Sequence, residues 1–162
     1  MPEQKAVILM GSKSDADFAA TIADSLRHFD IKCEFRIASA HKTPRELLKI
    51  LEEYERLEAK IVYITVAGLS DALSGTVAGF TKYPVIACPP DWQKYGSPKI
   101  FSSTMTPRGI PVLFIAEPEN AALAVVKILA ISDTSLQKKI AAYQQKKSEE
   151  VIEADKEIKD GL

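Results

Sequence analysis

The chain has 162 residues, 46% hydrophobic and 27% charged, the balance of one ordinary globular domain and not of a disordered or low-complexity polymer. Lys and Arg total 21 against 22 Asp and Glu, so the formal net charge is -1 and no global positive field exists to hold nucleic acid. The two cysteines, Cys33 and Cys88, stand far apart in apolar runs. That spacing excludes a disulfide framework and a CxxC zinc site, and a reducing cytoplasm is the expected compartment.

Met1 to Lys5 lead into a short apolar run, Ala6–Met10, too brief for a signal peptide and read here as the first strand. Gly11-Ser12-Lys13-Ser14-Asp15 follows. Gly11 allows a tight turn, Ser12 and Ser14 offer hydroxyls, and the helix start presents free N–H groups to an anion. Asp15 there could accept hydrogen bonds from sugar hydroxyls. The same residues also fit a plain helix start, with Ser14 as N-cap and Asp15 and Asp17 as first-turn acids. Phe18, Ile22, Leu26 and Phe29 then recur at helical spacing. His28, near the end of that helix, reads as a surface or capping residue.

The second strand is Lys32–Ile37, followed by Ala38-Ser39-Ala40-His41-Lys42-Thr43-Pro44. Thr43-Pro44-Arg45-Glu46 has the pattern of a capping box with Pro at the first helical position. It sets His41 and Lys42 just outside a helix N-terminus, whose positive end favours a neutral, basic imidazole. Lys42 adds a fixed charge for a phosphate or carboxylate. Leu47, Leu48, Leu51 and Tyr54 mark the helix itself.

After a third strand, Ile61–Val66, come Gly68-Leu69-Ser70-Asp71, where glycine suits close approach to a ligand and the N–H groups suit a carboxylate or CO2. An ordinary turn with Ser70 as N-cap of a helix over 70–81 fits as well. The fourth strand, Val85–Cys88, opens a long loop from Pro89-Pro90-Asp91-Trp92 to Thr106-Pro107. Trp92 and Tyr95 in it either line the site or pack the loop down. A fifth strand, Val112–Ile115, and a helix from Glu119 to Ala130 complete the pattern. The longest apolar stretch, Ala121 to Ile131, is interrupted by Lys127 and too short to span a bilayer.

From Ser132 to Lys159 no Gly or Pro occurs, and Leu136, Ile140, Tyr143, Val151 and Ile158 fall roughly on one stripe. A helix of about 25 residues is about 40 Å long and overhangs such a domain. Its apolar residues call for a neighbouring subunit, so a homo-oligomer is expected; a solvated, frayed tail is the other reading.

Alternating elements imply a three-layer α/β/α fold, a flavodoxin-like parallel five-stranded sheet of order 2-1-3-4-5 with a long C-terminal helix. Residues 1–131 form the flavodoxin-like unit and 132–162 a helical extension packing on neighbouring subunits. Ligands in such sheets sit beyond the carboxyl ends of the strands, where all four tails are expected to converge. No GxGxxG or P-loop occurs, which counts against a dinucleotide or P-loop site.

Met10-Gly11-Ser12-Lys13-Ser14-Asp15, Ser39-Ala40-His41-Lys42-Thr43-Pro44 and Glu117-Pro118-Glu119-Asn120-Ala121-Ala122, in this order after successive strands, resemble the phosphoribosylaminoimidazole carboxylases of purine biosynthesis. The resemblance runs from Val7 into the long C-terminal helix. It implies a homo-octamer, a substrate of 5-aminoimidazole ribonucleotide type and no metal or organic cofactor. It further implies that Ser12, Asp15 and Lys42 hold the ribose phosphate with Ser39 beside them. Gly68 and Ser70 would shape a CO2 pocket, and His41 would act as general acid/base. The mutase class of the family reads A-A-H-L-P-G after the third strand and has Arg after the motif histidine. Leu69-Ser70-Asp71-Ala72-Leu73-Ser74-Gly75, Lys42 and Ile86-Ala87-Cys88-Pro89-Pro90 are closer to the class that uses CO2 directly. Leu69, Asp71 and Met105 depart from that class, which reads A-G-R-S-N and S-S-L-R-M-P at these places; Arg108 is the nearest replacement for a missing charge. The alternatives are the N5-carboxyaminoimidazole ribonucleotide mutase reaction on the same scaffold and a non-catalytic phosphate- or flavin-binding module.

Overall fold

The computed structural model describes residues 3–161. Five strands, β1 (Glu3–Met10), β2 (Lys32–Ile37), β3 (Ala59–Val66), β4 (Val85–Ala87) and β5 (Leu113–Phe114), form one sheet in the order β2-β1-β3-β4-β5. Every pairing is parallel. The helices are α1 (Ala16–Arg27), α2 (Pro44–Glu55), α3 (Ala72–Phe80), α4 (Trp92–Tyr95), α5 (Ser97–Thr104), α6 (Pro118–Ala130) and α7 (Thr134–Asp160).

Strand alternation splits the core in two. Ala6, Ile8 and Met10 of β1 face Ile22 and Leu26 of α1, Val125 and Leu129 of α6, and Leu136 and Ile140 of α7. Val7 and Leu9 face Leu47, Leu51 and Tyr54 of α2 and Leu73 and Val77 of α3. Because both faces are covered, the inner strands β1 and β3 are apolar on consecutive residues. Edge strand β2 is not covered this way and leaves Phe35 and Ile37 exposed.

Four local readings are corrected. The segment after β4 is not a long loop: Gly96, at φ +57, turns the chain out of α4, and Pro98 sits in the first turn of α5. The capping box at Thr43 does not form, because the Thr43 hydroxyl accepts from Ser39 N–H at 2.9 Å while Glu46 pairs with Lys49 at 2.7 Å. Asp71, not Ser70, caps α3, accepting from Ser74 N–H at 3.0 Å. Strand β5 covers two residues instead of four.

Helix α7 has 27 residues and is about 40 Å long. Asp133 caps it through Ser135 and Leu136 N–H, and its first turns pack on the core, with Tyr143 against Phe29 at 5.4 Å between ring centroids. Further along, Val151, Ile152 and Ile158 are exposed. Among the described residues no helix is long and apolar enough to cross a membrane. Both cysteines are free thiols: Cys88 is buried, Cys33 half-buried, and burial pushes them up to about 12 and about 11.

Candidate active site

The carboxyl ends of β1, β2 and β3 enclose a cleft of about 420 Å³. Its walls include Ser12 and Asp15 from the first tail, Ser39, His41 and Lys42 from the second, and Gly68 and Ser70 from the third. All seven residues singled out from the sequence therefore meet at one place.

The first wall is a closed turn. Gly11 N–H donates to Val66 O at 2.9 Å, anchoring the turn to the end of β3. Ser12, in extended backbone, caps a single 3-10 turn, Lys13–Asp15, that leads into α1: its hydroxyl accepts from Ser14 N–H, and Asp15 returns the contact by accepting from Ser12 N–H at 3.1 Å. Ser14 is therefore not the N-cap of α1: Ser12 caps the turn before it, and Asp15 stands at the N-cap position of α1 itself, without a side-chain capping bond there. Asp15 is 8% exposed. Burial raises its carboxyl above the usual range, the Ser12 N–H opposes this, and the charges of Asp91 and Lys99 act in opposite senses.

The second wall is knotted by its own backbone. Thr43 N–H donates to Ser39 O at 2.9 Å, and Lys42 N–H to the Ser39 hydroxyl at 3.1 Å. These bonds hold His41 and Lys42 at the tip of a fixed turn with exposed side chains. His28, the other histidine, is the C-cap of α1, its Nδ1 2.9 Å from Asp24 O.

The third wall has a backbone feature that the sequence did not announce. Leu69 has φ +55, a left-handed conformation that costs a non-glycine residue about 1–2 kcal/mol. Asp91 accepts from Leu69 N–H at 2.7 Å, and the buried Lys99 ammonium donates to Ala67 O at 2.6 Å and Leu69 O at 2.7 Å. A Cβ on Gly68 would stand 3.3 Å from the Asp91 carboxylate, so the close approach this glycine permits is to a protein group behind it. Below, the buried Asp71 carboxylate accepts from Ser74 N–H at 3.0 Å and from the Ser74 and Ser103 hydroxyls at 2.5 and 2.7 Å, and Asp71 N–H donates to Ser102 at 2.7 Å. The tail of β4 therefore buttresses the cleft instead of lining it; Trp92, Tyr95 and Arg108 are not among its walls.

One imidazole, one ammonium, one carboxylate, serine hydroxyls and backbone N–H groups share a space suited to a small phosphorylated molecule. Fold and cleft together define a flavodoxin-like domain with a candidate small-molecule site at the carboxyl edge of its sheet. The pattern of the AIR carboxylase family matches residues 5–150, and the chain belongs to that family. It is 48% identical over 155 residues to the phosphoribosylaminoimidazole carboxylase of Archaeoglobus fulgidus, covering 96% of this chain and 85% of that one. It is 37% identical over 155 residues to the N5-carboxyaminoimidazole ribonucleotide mutase of Methanocaldococcus jannaschii, covering 94% of this chain and 96% of that one. The crystal structure of Treponema denticola PurE superposes with a TM-score of 0.93 at 40% identity, covering 97% of this chain and 99% of that one.

Proposed function

We propose that the protein adds CO2 to C4 of 5-aminoimidazole ribonucleotide in de novo purine (IMP) biosynthesis. The observation that carries the reading is the convergence of His41 and Lys42 with the Ser12 turn and the Gly68–Ser70 turn in one cleft. The similarity to a phosphoribosylaminoimidazole carboxylase over 96% of the chain supports it.

In this reading Ser12, Asp15 and Lys42 hold the ribose phosphate, Ser39 stands beside them, and Gly68 and Ser70 shape the CO2 pocket. The amino group makes the imidazole ring electron-rich, and C4 attacks the carbon of CO2 held next to it. A C–C bond forms and one C=O π pair moves to oxygen, giving a carboxylate. C4 then carries both this carboxylate and its proton. His41 removes the proton and the ring regains aromaticity. Placement is the larger part of the work, since the ring is already nucleophilic. The subunit assembles as a homo-octamer in the cytoplasm, where its free thiols are at home, and needs no metal or organic cofactor.

The second reading is the mutase reaction, favoured by the relative of that name. Supplying ribonucleotide with bicarbonate alone, or the N5-carboxylated ribonucleotide alone, and following the C4 carboxylate separates the two. Product from bicarbonate is the expected result. Product from the N5-carboxylated compound only would transfer the protein to the mutase reading, and product from neither would end both.

A further inference from the structure

We propose that Lys99, acting with Asp91, is a positioning residue for this reaction: the pair sets the shape of the Gly68–Leu69–Ser70 turn that walls the cleft. The inference rests on the carboxylation proposed above and deepens it.

Lysine is almost never fully buried without partners, yet Lys99 is only 2% exposed. Its ammonium donates to Ala67 O and Leu69 O, at 2.6 and 2.7 Å, and lies 3.7 Å from Asp91 Oδ1. The other Asp91 oxygen accepts from Leu69 N–H at 2.7 Å. One ion pair thus takes both backbone polar groups of Leu69. That residue has φ +55 and is 68% exposed, so side-chain packing does little to offset the strained backbone. The pair is the restraint that offsets it.

The effect reaches the cleft through the neighbours of Leu69. Gly68 and Ser70 line it, whereas Lys99 and Asp91 do not. Within the turn, Leu69 N–H goes to Asp91 and Asp71 N–H to Ser102. Among the described residues, the N–H groups of Gly68 and Ser70 have no partner in the chain. Gly68 N–H shares its peptide unit with Ala67 O, and Ser70 N–H shares its unit with Leu69 O, so without the Lys99 ammonium on these two carbonyls both units would rotate and those two donors would change direction. A carboxyl group held there would then be misplaced relative to C4, while the ribose phosphate, held across the cleft, would not be.

The test is steady-state kinetics of the full chain with bicarbonate and 5-aminoimidazole ribonucleotide, for wild type, Lys99→Met, Asp91→Asn and Lys99→Arg. Lys99→Met should lower kcat ~10²-fold and raise the KM for bicarbonate, as expected for misplacement by about 1 Å, with the KM for ribonucleotide within about threefold of wild type. Lys99→Arg should recover part of the loss, because a guanidinium can still donate to two carbonyls. Asp91→Asn keeps an acceptor for Leu69 N–H and removes the charge, so it serves as the test if Lys99→Met does not fold. Its kcat should fall in the same direction, with circular dichroism unchanged. A folded Lys99→Met or Asp91→Asn with wild-type kcat and bicarbonate KM would overturn the proposal and leave the carboxylation standing. Wild type unable to carboxylate the ribonucleotide would overturn the parent reading, and this one with it, before any variant is compared.

Discussion

At the scale of residues, the imidazole at 41 can be removed without disturbing the fold, because its side chain is exposed and the turn beneath it is closed by Ser39 and Thr43. His41→Asn should therefore keep its melting temperature and its affinity for ribonucleotide, while turnover falls by ~10²–10⁴, the span of a proton-transfer group. Full turnover in a folded His41→Asn would remove the residue from the chemistry. Asp15 offers a pH test. Its carboxyl is raised above the ordinary 3.8, chiefly by burial. The folded state thus holds that proton more tightly than the unfolded state does, and the resulting stability is present at low pH and lost as pH rises through the folded value. Asp15→Asn, neutral throughout, should gain stability relative to wild type over that same rise, read as the gap between their urea midpoints. A gap that stays constant across the range would contradict the buried-carboxylate account.

At the scale of elements, α2 carries the turn that presents His41 and Lys42, and its anchor is an apolar stripe. Leu47 and Leu51 are fully buried against β1 and β3. Leu51→Ala should cost about 2–5 kcal/mol in denaturant melts, the range for a truncated buried leucine. A smaller loss would mean that α2 sits loosely on the sheet. Elements of this kind were legible in the sequence because their signals are periodic. Consecutive apolar runs marked β1 and β3, and spacings of three and four marked α1 and α2. Their alternation led to the observed strand order. The segment from Pro89 to Pro107 was not legible as helix, since Pro98, Gly96 and four- and eight-residue helices leave no room for periodicity. Lys99 and Asp91 were hidden for the same reason: a lone charge in a Ser- and Pro-rich stretch reads as solvated, and only the fold brings both under Leu69. The seven cleft residues were legible because each follows a strand, and strand ends are where a parallel sheet gathers its loops. Their caps were assigned less well. Ser12 caps a 3-10 turn that puts Asp15, not Ser14, at the start of α1, and Asp71 rather than Ser70 caps α3, through competing local hydrogen bonds.

At the scale of the whole molecule, α7 begins as part of its own core and ends outside it. Leu136 and Ile140 are buried, whereas Val151 and Ile158 are 71% and 66% exposed. Exposed apolar positions on a helix that overhangs its domain suit a second copy of the chain. Light scattering should give a mass that is a multiple of 17.8 kDa, eightfold for the proposed octamer. The double variant Val151→Glu, Ile158→Glu should shift that mass downward with the fold intact; a wild-type mass of one chain would remove the assembly altogether. The placement of sulfur has a consequence at the same scale. Cys88 is shut in the core and Cys33 half-covered on β2, while among the described residues no sulfur atom lines the cleft. Thiols held this far from ionisation are poor nucleophiles toward peroxide and iodoacetamide alike. Thiol oxidation is therefore not a route by which the proposed cleft chemistry is lost.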